Sequence, residues 1–193
     1  MVGQIGPLVQ VGRKKTALAL HVLGGLLGGA TIGVALGFLG VLLHLALGGT
    51  LHTVFAIVVP AALLYAASVD LGIAPLPQIT SERQTPGAWP CALGHYPGIF
   101  GWGFDLGLGV TTRIPYQSLL VLPLAAMLSG SLAAAVAIMA AYGAFRALAV
   151  VTAVLAAGGD FTAVCDVIQT RVVPLKRVVG AVALVIAALI VIS

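Results

Sequence analysis

Charged side chains are scarce in this chain, and their scarcity decides its class. Only 9 lysines and arginines and 5 aspartates and glutamates occur among 193 residues, which is 7%, whereas 61% of the residues are hydrophobic. The mean hydropathy is +1.17. Soluble domains carry about 25% charged residues, so this chain has too few to cover a water-exposed surface. The composition excludes a soluble globular protein and predicts an integral membrane protein.

Aromatic residues are also few, at 6% of the chain. No stretch alternates with the period of about two that the strands of an outer-membrane barrel need. The 25 glycines, with abundant alanine, leucine and valine, favour packed helices instead. We therefore predict an all-α integral membrane protein, a polytopic helical bundle with long broken helices that forms one transmembrane domain over residues 1–193.

Motifs for enzyme chemistry are missing. Neither Cys91 nor Cys165 has a CxxC neighbour, so redox and zinc chemistry have no motif support. No P-loop and no HExxH sequence occurs. His44 and His52 flank a predicted turn. They could share a metal ion or a proton, but a role as polar residues at the membrane interface is favoured. We expect no enzyme activity, no cofactor and no metal.

Five apolar blocks organise the chain, with predicted bounds Thr16–Leu47, Leu51–Val69, Pro97–Leu128, Leu132–Ala157 and Val178–Ile192. A membrane core of ~30 Å needs about 20 helical residues, so the first and third blocks are tilted, broken or partly outside it. Residues 70–96 are rich in proline and predict a loop. Residues 158–177 predict a polar connection, in which Pro174 stops a short surface helix.

The first block carries glycines at four-residue spacing. Such spacing lets a neighbouring helix approach closely, and a packing seam is favoured over a glycine-lined substrate path. The glycines of this seam are Gly25, Gly29, Gly33 and Gly37, with Gly24, Gly28 and Gly40 beside them.

The basic residues predict the topology. If residues 97–128 cross the membrane once, the chain has five spans. The lysines and arginines of the loops and termini then lie on the same side as the N-terminus, and the positive-inside rule assigns that side to the cytoplasm. If the block splits at Pro115 into two spans, this bias disappears. Five spans are therefore favoured over six, with the N-terminus inside a cell (inner) membrane and residues 70–96 cytoplasmic. The net charge of +4 is attributed to the lysines and arginines that fix the topology, and no nucleic-acid partner is expected.

Three charged residues fall at predicted membrane depth, namely Asp105, Arg113 and Arg146. A charge at the bilayer centre costs at least about 2.5–3.5 kcal/mol and usually serves pairing or function. One interpretation is an Asp105–Arg146 ion pair that locks two helices. The other is an arginine that meets an anionic substrate or a lipid headgroup, with Thr111 and Thr112 as further ligands at a broken helix.

The segment Phe100–Leu155, which begins "FGWGFDLGLGVTTRIP", resembles the fourth and fifth helices of the CcdA/DsbD transmembrane family, in the LysE-like group of small membrane transporters. The resemblance implies helices broken near the midplane around a small cavity, and six helices in inverted repeats. The reactive cysteine of that family would fall near Thr112–Arg113, where this chain has none. Thiol–disulfide exchange through the membrane would need two such thiols.

Three functions follow as hypotheses. The leading one is a small transporter or exporter, with an anionic solute as one candidate cargo and Arg113, Asp105 and Arg146 at its centre. The second is a structural or accessory subunit of a larger membrane complex, docked through the glycine seam, whereas an isolated monomer or a small homo-oligomer would support a transporter. The third is a partner of a thioredoxin-like protein, which would require a reactive Cys91 or Cys165.

Overall fold

The computed structural model describes residues 14–73, 93–109, 116–156 and 161–192, and this part of the chain is helical without a strand. The predicted all-α class is thus confirmed for these ranges. The helices are α1 (Lys14–Leu47), α2 (Thr50–Leu71), α3 (His95–Leu108), a 3-10 turn (Gln117–Leu120) that leads into α4 (Val121–Leu128), α5 (Leu132–Ala156) and α6 (Phe161–Ile192).

Within the described residues, four helices are long and apolar enough to cross a membrane, judged by length and composition: α1, α2, α5 and the Val173–Ile190 part of α6. The hydropathy pattern predicted these helices to within about two residues for α1, α2 and α5. The choice between five and six spans stays a prediction, because the two remaining helices, α3 and α4, are each shorter than a span.

The described residues of the predicted block Pro97–Leu128 belong to α3 and to the 3-10 turn with α4, and residues 110–115 between them lie outside the described ranges. Helix α3 ends at Leu108, and the 3-10 turn begins at Gln117. Gly109 closes α3 in the left-handed conformation, with φ of 73° and its N–H bonded to the carbonyl of Leu106. A glycine adopts this conformation without the steric cost that a Cβ imposes. By contrast, the proline-free α1 runs for 34 residues as one helix.

The predicted end of a helix at Pro174 is wrong. Helix α6 runs from Phe161 to Ile192 with Pro174 inside it, so the polar connection 158–177 is mostly the first part of a long helix. Proline lacks an N–H and removes one backbone hydrogen bond. The helix nevertheless continues through Pro174 for a further 18 residues of mainly apolar sequence, to Ile192.

The sequence predicts one transmembrane domain. In the structure the residues form two compact units, and each unit is built from three stretches of chain. Unit 1 comprises the described residues of Met1–Ile32, Ser81–Arg113 and Met139–Arg171, and unit 2 those of Gly33–Thr80, Ile114–Ile138 and Val172–Ser193. The buried core of unit 1 includes Ile99, Trp102 and Leu106 of α3 against Leu18 of α1 and Val154 of α5.

Unit 1 is held together by glycine contacts between helix backbones. A Cβ added at Gly25 would lie 2.7 Å from both the carbonyl oxygen of Gly143 and the Cβ of Ala147, on α5. A Cβ at Gly28 would overlap the carbonyl oxygen of Phe104, on α3. A glycine in a helix interior lowers helix stability by about 1 kcal/mol relative to alanine. Here the glycines permit three helices to approach closely.

The four predicted packing glycines all lie on the buried face of α1. Gly29 faces Met139 and Ala140 of α5 in unit 1, and Gly25, one turn earlier on α1, faces Gly143 and Ala147 of the same helix. Gly37 faces the beginning of α5 in unit 2, and Gly33 is buried. The seam thus packs against helices of the same chain.

Unit 2 packs α2 against α4 and the 3-10 turn that precedes it. Its buried apolar core takes Leu63 and Ala67 from α2, Val121 and Leu128 from α4, and Ala183 from α6. This packing brings the C-terminal end of α2 to the first residues of the 3-10 turn, where a buried carboxylate lies.

Candidate functional site

A buried arginine on α5 reaches the C-terminal turn of α3 in unit 1. Arg146 is 8% exposed, and its Nη1 donates a hydrogen bond of 2.9 Å to the carbonyl oxygen of Leu106. The same Nη1 donates to the hydroxyl of Tyr142 at 3.3 Å, and the guanidinium carbon lies 5.6 Å from the centre of the Tyr142 ring.

The position of this arginine suits the end of a helix. The last carbonyl groups of a helix lack intrahelical partners, and together they carry a partial negative charge that attracts cations. Arg146 supplies both a donor and a positive charge to the last turn of α3. The local geometry therefore stabilises a helix that ends inside a buried region.

The acidic residue of the predicted site lies on the same turn. Asp105 immediately precedes Leu106 and is 4% exposed, so the arginine and the carboxylate are both buried around the last turn of α3. The structure brings these two predicted residues to one region of unit 1. Both predicted roles of Arg146, the ion pair with Asp105 and the binding of an anion, stay predictions.

The remaining predicted site residues follow the end of α3 directly. Thr111, Thr112 and Arg113 lie outside the described residues, as does Cys91. The chain enters this segment from Gly109, over which the ring of Tyr142 lies, because a Cβ added at Gly109 would be 2.7 Å from that ring. Tyr142 thus contacts both Arg146 and the residue at which α3 ends.

A second buried charge, which the sequence interpretation placed in a loop, caps the 3-10 turn in unit 2. Asp70 is 3% exposed and lies in the last turn of α2. Its Oδ1 accepts the backbone N–H of Gln117 at 2.9 Å. Its Oδ2 accepts the backbone N–H of Ser118 at 2.9 Å and the hydroxyl of Ser118 at 2.7 Å.

Asp70 acts as an N-cap supplied by another helix. Tyr116, the residue at the local N-cap position, makes no side-chain capping bond, so the free N–H groups of the following turn need another acceptor. A carboxylate also suits the positive end of a helix. Lys176 of α6 approaches Asp70 Oδ1 at 4.0 Å, with its side chain 20% exposed.

These residues were missed at the sequence level although a signal existed. Asp70 is a lone acid at the end of an apolar run, and Gln117 and Ser118 open a new helical segment just after Pro115. A carboxylate without a local partner in the sequence and a helix start without a local capping residue can satisfy each other when the two segments pack together. Hydropathy alone does not indicate which pair meets.

A buried histidine lies in unit 1 beside the same core. His21 is fully buried, and its ring lies 4.5 Å from that of Trp102 with 42° between the planes. Within the described ranges neither ring nitrogen makes a hydrogen bond, although the backbone of Ile99 lies near enough to interact electrostatically with the ring. The described residues hold no cluster of three or more histidine, cysteine or acidic side chains that would suit a metal ion.

Comparison with protein-family models, with curated proteins and with solved structures finds no match to this chain. The resemblance of Phe100–Leu155 to the CcdA/DsbD family therefore stays a prediction.

Proposed function

We propose that this chain is a polytopic inner-membrane protein with a cytoplasmic N-terminus, and that it moves a small anionic solute across the membrane. The binding site in this proposal is the end of α3 and the residues that follow it. Arg146, Asp105 and Arg113 form its charged centre, and Thr111 and Thr112 are further ligands.

Exposed apolar side chains support the membrane location. Phe38, Phe145 and Leu189, on three of the long helices, are each more than 60% exposed. Large apolar surfaces of this kind would be a liability in water, whereas lipid acyl chains would cover them. The four long apolar helices provide the matching length.

One observation carries the site itself: a buried arginine hydrogen-bonded to the last turn of a helix that stops short of a span. Helices interrupted inside a membrane are tolerated where they line a cavity or a pathway, and transporters commonly build their binding sites there. Arg146 brings a fixed positive charge to that position. The threonines and the second arginine of the following segment add donors for an anion.

Solid-supported-membrane electrometry on proteoliposomes tests the proposal, with chloride, phosphate, sulfate and acetate applied one at a time. We expect at least one of these anions to give a transport current. Arg113→Gln and Arg146→Gln should each reduce that current at least tenfold, since a hydrogen bond to a charged group contributes about 1.5–3 kcal/mol.

The matched control is Arg171→Gln, because Arg171 is an exposed arginine of α6 and should leave the current unchanged. Circular dichroism and gel filtration confirm that each variant folds. If no anion moves with the unmodified protein, or if both site variants transport normally, the proposal is wrong.

The accessory-subunit hypothesis has no specific observation in its favour. That hypothesis assigned the glycine seam as the docking face for a partner. In the structure, however, Gly25, Gly28 and Gly29 pack against α3 and α5 of the same chain. Extraction in a mild detergent followed by sizing would still distinguish the two hypotheses, since a constant large complex supports a subunit role.

A further inference from the structure

A shallow apolar groove runs along the outer face of α1 in unit 1. Its volume is about 460 Å³, and all of its lining residues are apolar: Leu18, Ala19, Val22, Leu23 and Leu26 of α1, and Val151 of α5. Leu23 and Leu26 are 47% and 40% exposed. The groove therefore offers an open apolar channel along about two turns of helix.

Two exposed lysines continue the same face beyond the end of the groove. Lys14 precedes Leu18 by four residues, and Lys15 precedes Ala19 by four. Residues four apart lie one above the other on a helix, about 6 Å apart. The groove thus ends at a pair of positive charges one turn away.

The first turn of α1 strengthens this polarity. It contains no acidic residue, so no carboxylate of that turn balances the charges of Lys14 and Lys15. These two lysines would attract a negatively charged group that lies one turn beyond the groove. An apolar chain joined to an anionic headgroup matches this combination of surface and charge.

We propose that the groove and the two lysines form a binding site for an anionic glycerophospholipid. One acyl chain lies along Leu18, Val22 and Leu26, and the phosphate of the headgroup contacts Lys14 and Lys15. The site is separate from the proposed anion site at the end of α3, and it does not depend on whether the protein transports a solute.

Native mass spectrometry of the full chain in a neutral detergent measures the preference directly. Phosphatidylglycerol and phosphatidylcholine with identical acyl chains are titrated separately. Each lysine near an anionic headgroup strengthens binding about fivefold, so we expect phosphatidylglycerol to bind roughly 25-fold more tightly. The double variant Lys14→Gln/Lys15→Gln should lose this preference and bind the two lipids about equally.

A second variant tests the groove. Ala19→Phe places an aromatic ring in the groove from an exposed position and should weaken the binding of both lipids at least fivefold. Ala35→Phe adds the same ring at another exposed alanine of α1 and should leave both affinities unchanged. Arg177→Gln, at an exposed basic residue of α6, should keep the preference for phosphatidylglycerol.

Three results would overturn the proposal. The first is equal binding of the two lipids by the unmodified protein. The second is a preference for phosphatidylglycerol that survives in the double lysine variant. The third is an Ala19→Phe protein that binds both lipids normally but changes from a dimer to a monomer, which would assign the groove to a second copy of the chain.

Discussion

Replacing Asp70 with asparagine should destabilise the protein strongly, because Asp70 holds the start of the 3-10 turn. The carboxylate accepts three hydrogen bonds, one from Gln117 and two from Ser118, at 2.7 to 2.9 Å. An asparagine offers one acceptor oxygen and one amide donor. With its oxygen in the place of Oδ2, it could keep both bonds from Ser118, and its amide would then face the N–H of Gln117.

The expected cost can be summed from these contacts. The unpaired buried N–H of Gln117 costs about 1–3 kcal/mol. Each of the two remaining bonds loses its charge assistance, which is about 1 kcal/mol per bond. Asp70→Asn should therefore lower the free energy of unfolding by about 3–5 kcal/mol.

Two neighbouring variants set the scale. Ser118→Ala removes only one of the three bonds and should cost about 2 kcal/mol. Lys176→Gln removes a contact of 4.0 Å to Asp70 from a lysine whose own side chain is 20% exposed, and an ion pair with one partly exposed partner at this distance contributes less than about 1 kcal/mol. The predicted order of destabilisation is Asp70→Asn, then Ser118→Ala, then Lys176→Gln.

Reversible unfolding by dodecyl sulfate in mixed micelles, followed by circular dichroism, measures these free energies. Asp166→Asn is the matched control, because Asp166 is an exposed aspartate of α6, and it should change the free energy by less than about 0.5 kcal/mol. An Asp70→Asn protein as stable as the unmodified one, or one less affected than Ser118→Ala, would refute the capping role of Asp70.

The same unfolding assay checks three further predictions. Gly28→Ala should cost about 1–3 kcal/mol because its methyl group would overlap the backbone of α3, whereas Gly49→Ala, with nothing within 4 Å, should cost almost nothing. Tyr142→Phe should cost about 1 kcal/mol, since it removes the 3.3 Å bond that Arg146 donates to the tyrosine hydroxyl. His21→Phe should be neutral or stabilising by about 1 kcal/mol, because it removes buried nitrogens that lack hydrogen bonds in the described ranges; a clear loss of stability would contradict this prediction.

Much of the helical layout could be predicted from the sequence. Apolar runs bounded by polar or glycine residues predicted α1, α2 and α5 closely, and the end of α1 at Leu47 and the beginning of α5 at Leu132 agree to the residue. Helix formation over such runs depends on local composition and on the need to pair the backbone away from water. Both are properties of a stretch of sequence taken alone.

The extent of α6 and the role of Asp70 could not be predicted in the same way. Proline is a local helix breaker by propensity, yet Pro174 lies within α6, so the surroundings outweighed the local preference. Asp70 was assigned to a loop because it follows an apolar run. Its role as a cap depends on residues 47 and 48 positions further along the chain.

The sequence by itself determined the all-helical class, the apolar helices and the glycine seam of α1, because each follows from composition or from the helical period. Only the tertiary structure decided what the buried charges contact. Arg146 binds the last turn of α3, and Asp70 caps the first residues of the 3-10 turn before α4. Helix ends leave backbone groups unpaired, and which distant side chain satisfies them depends on how the helices pack.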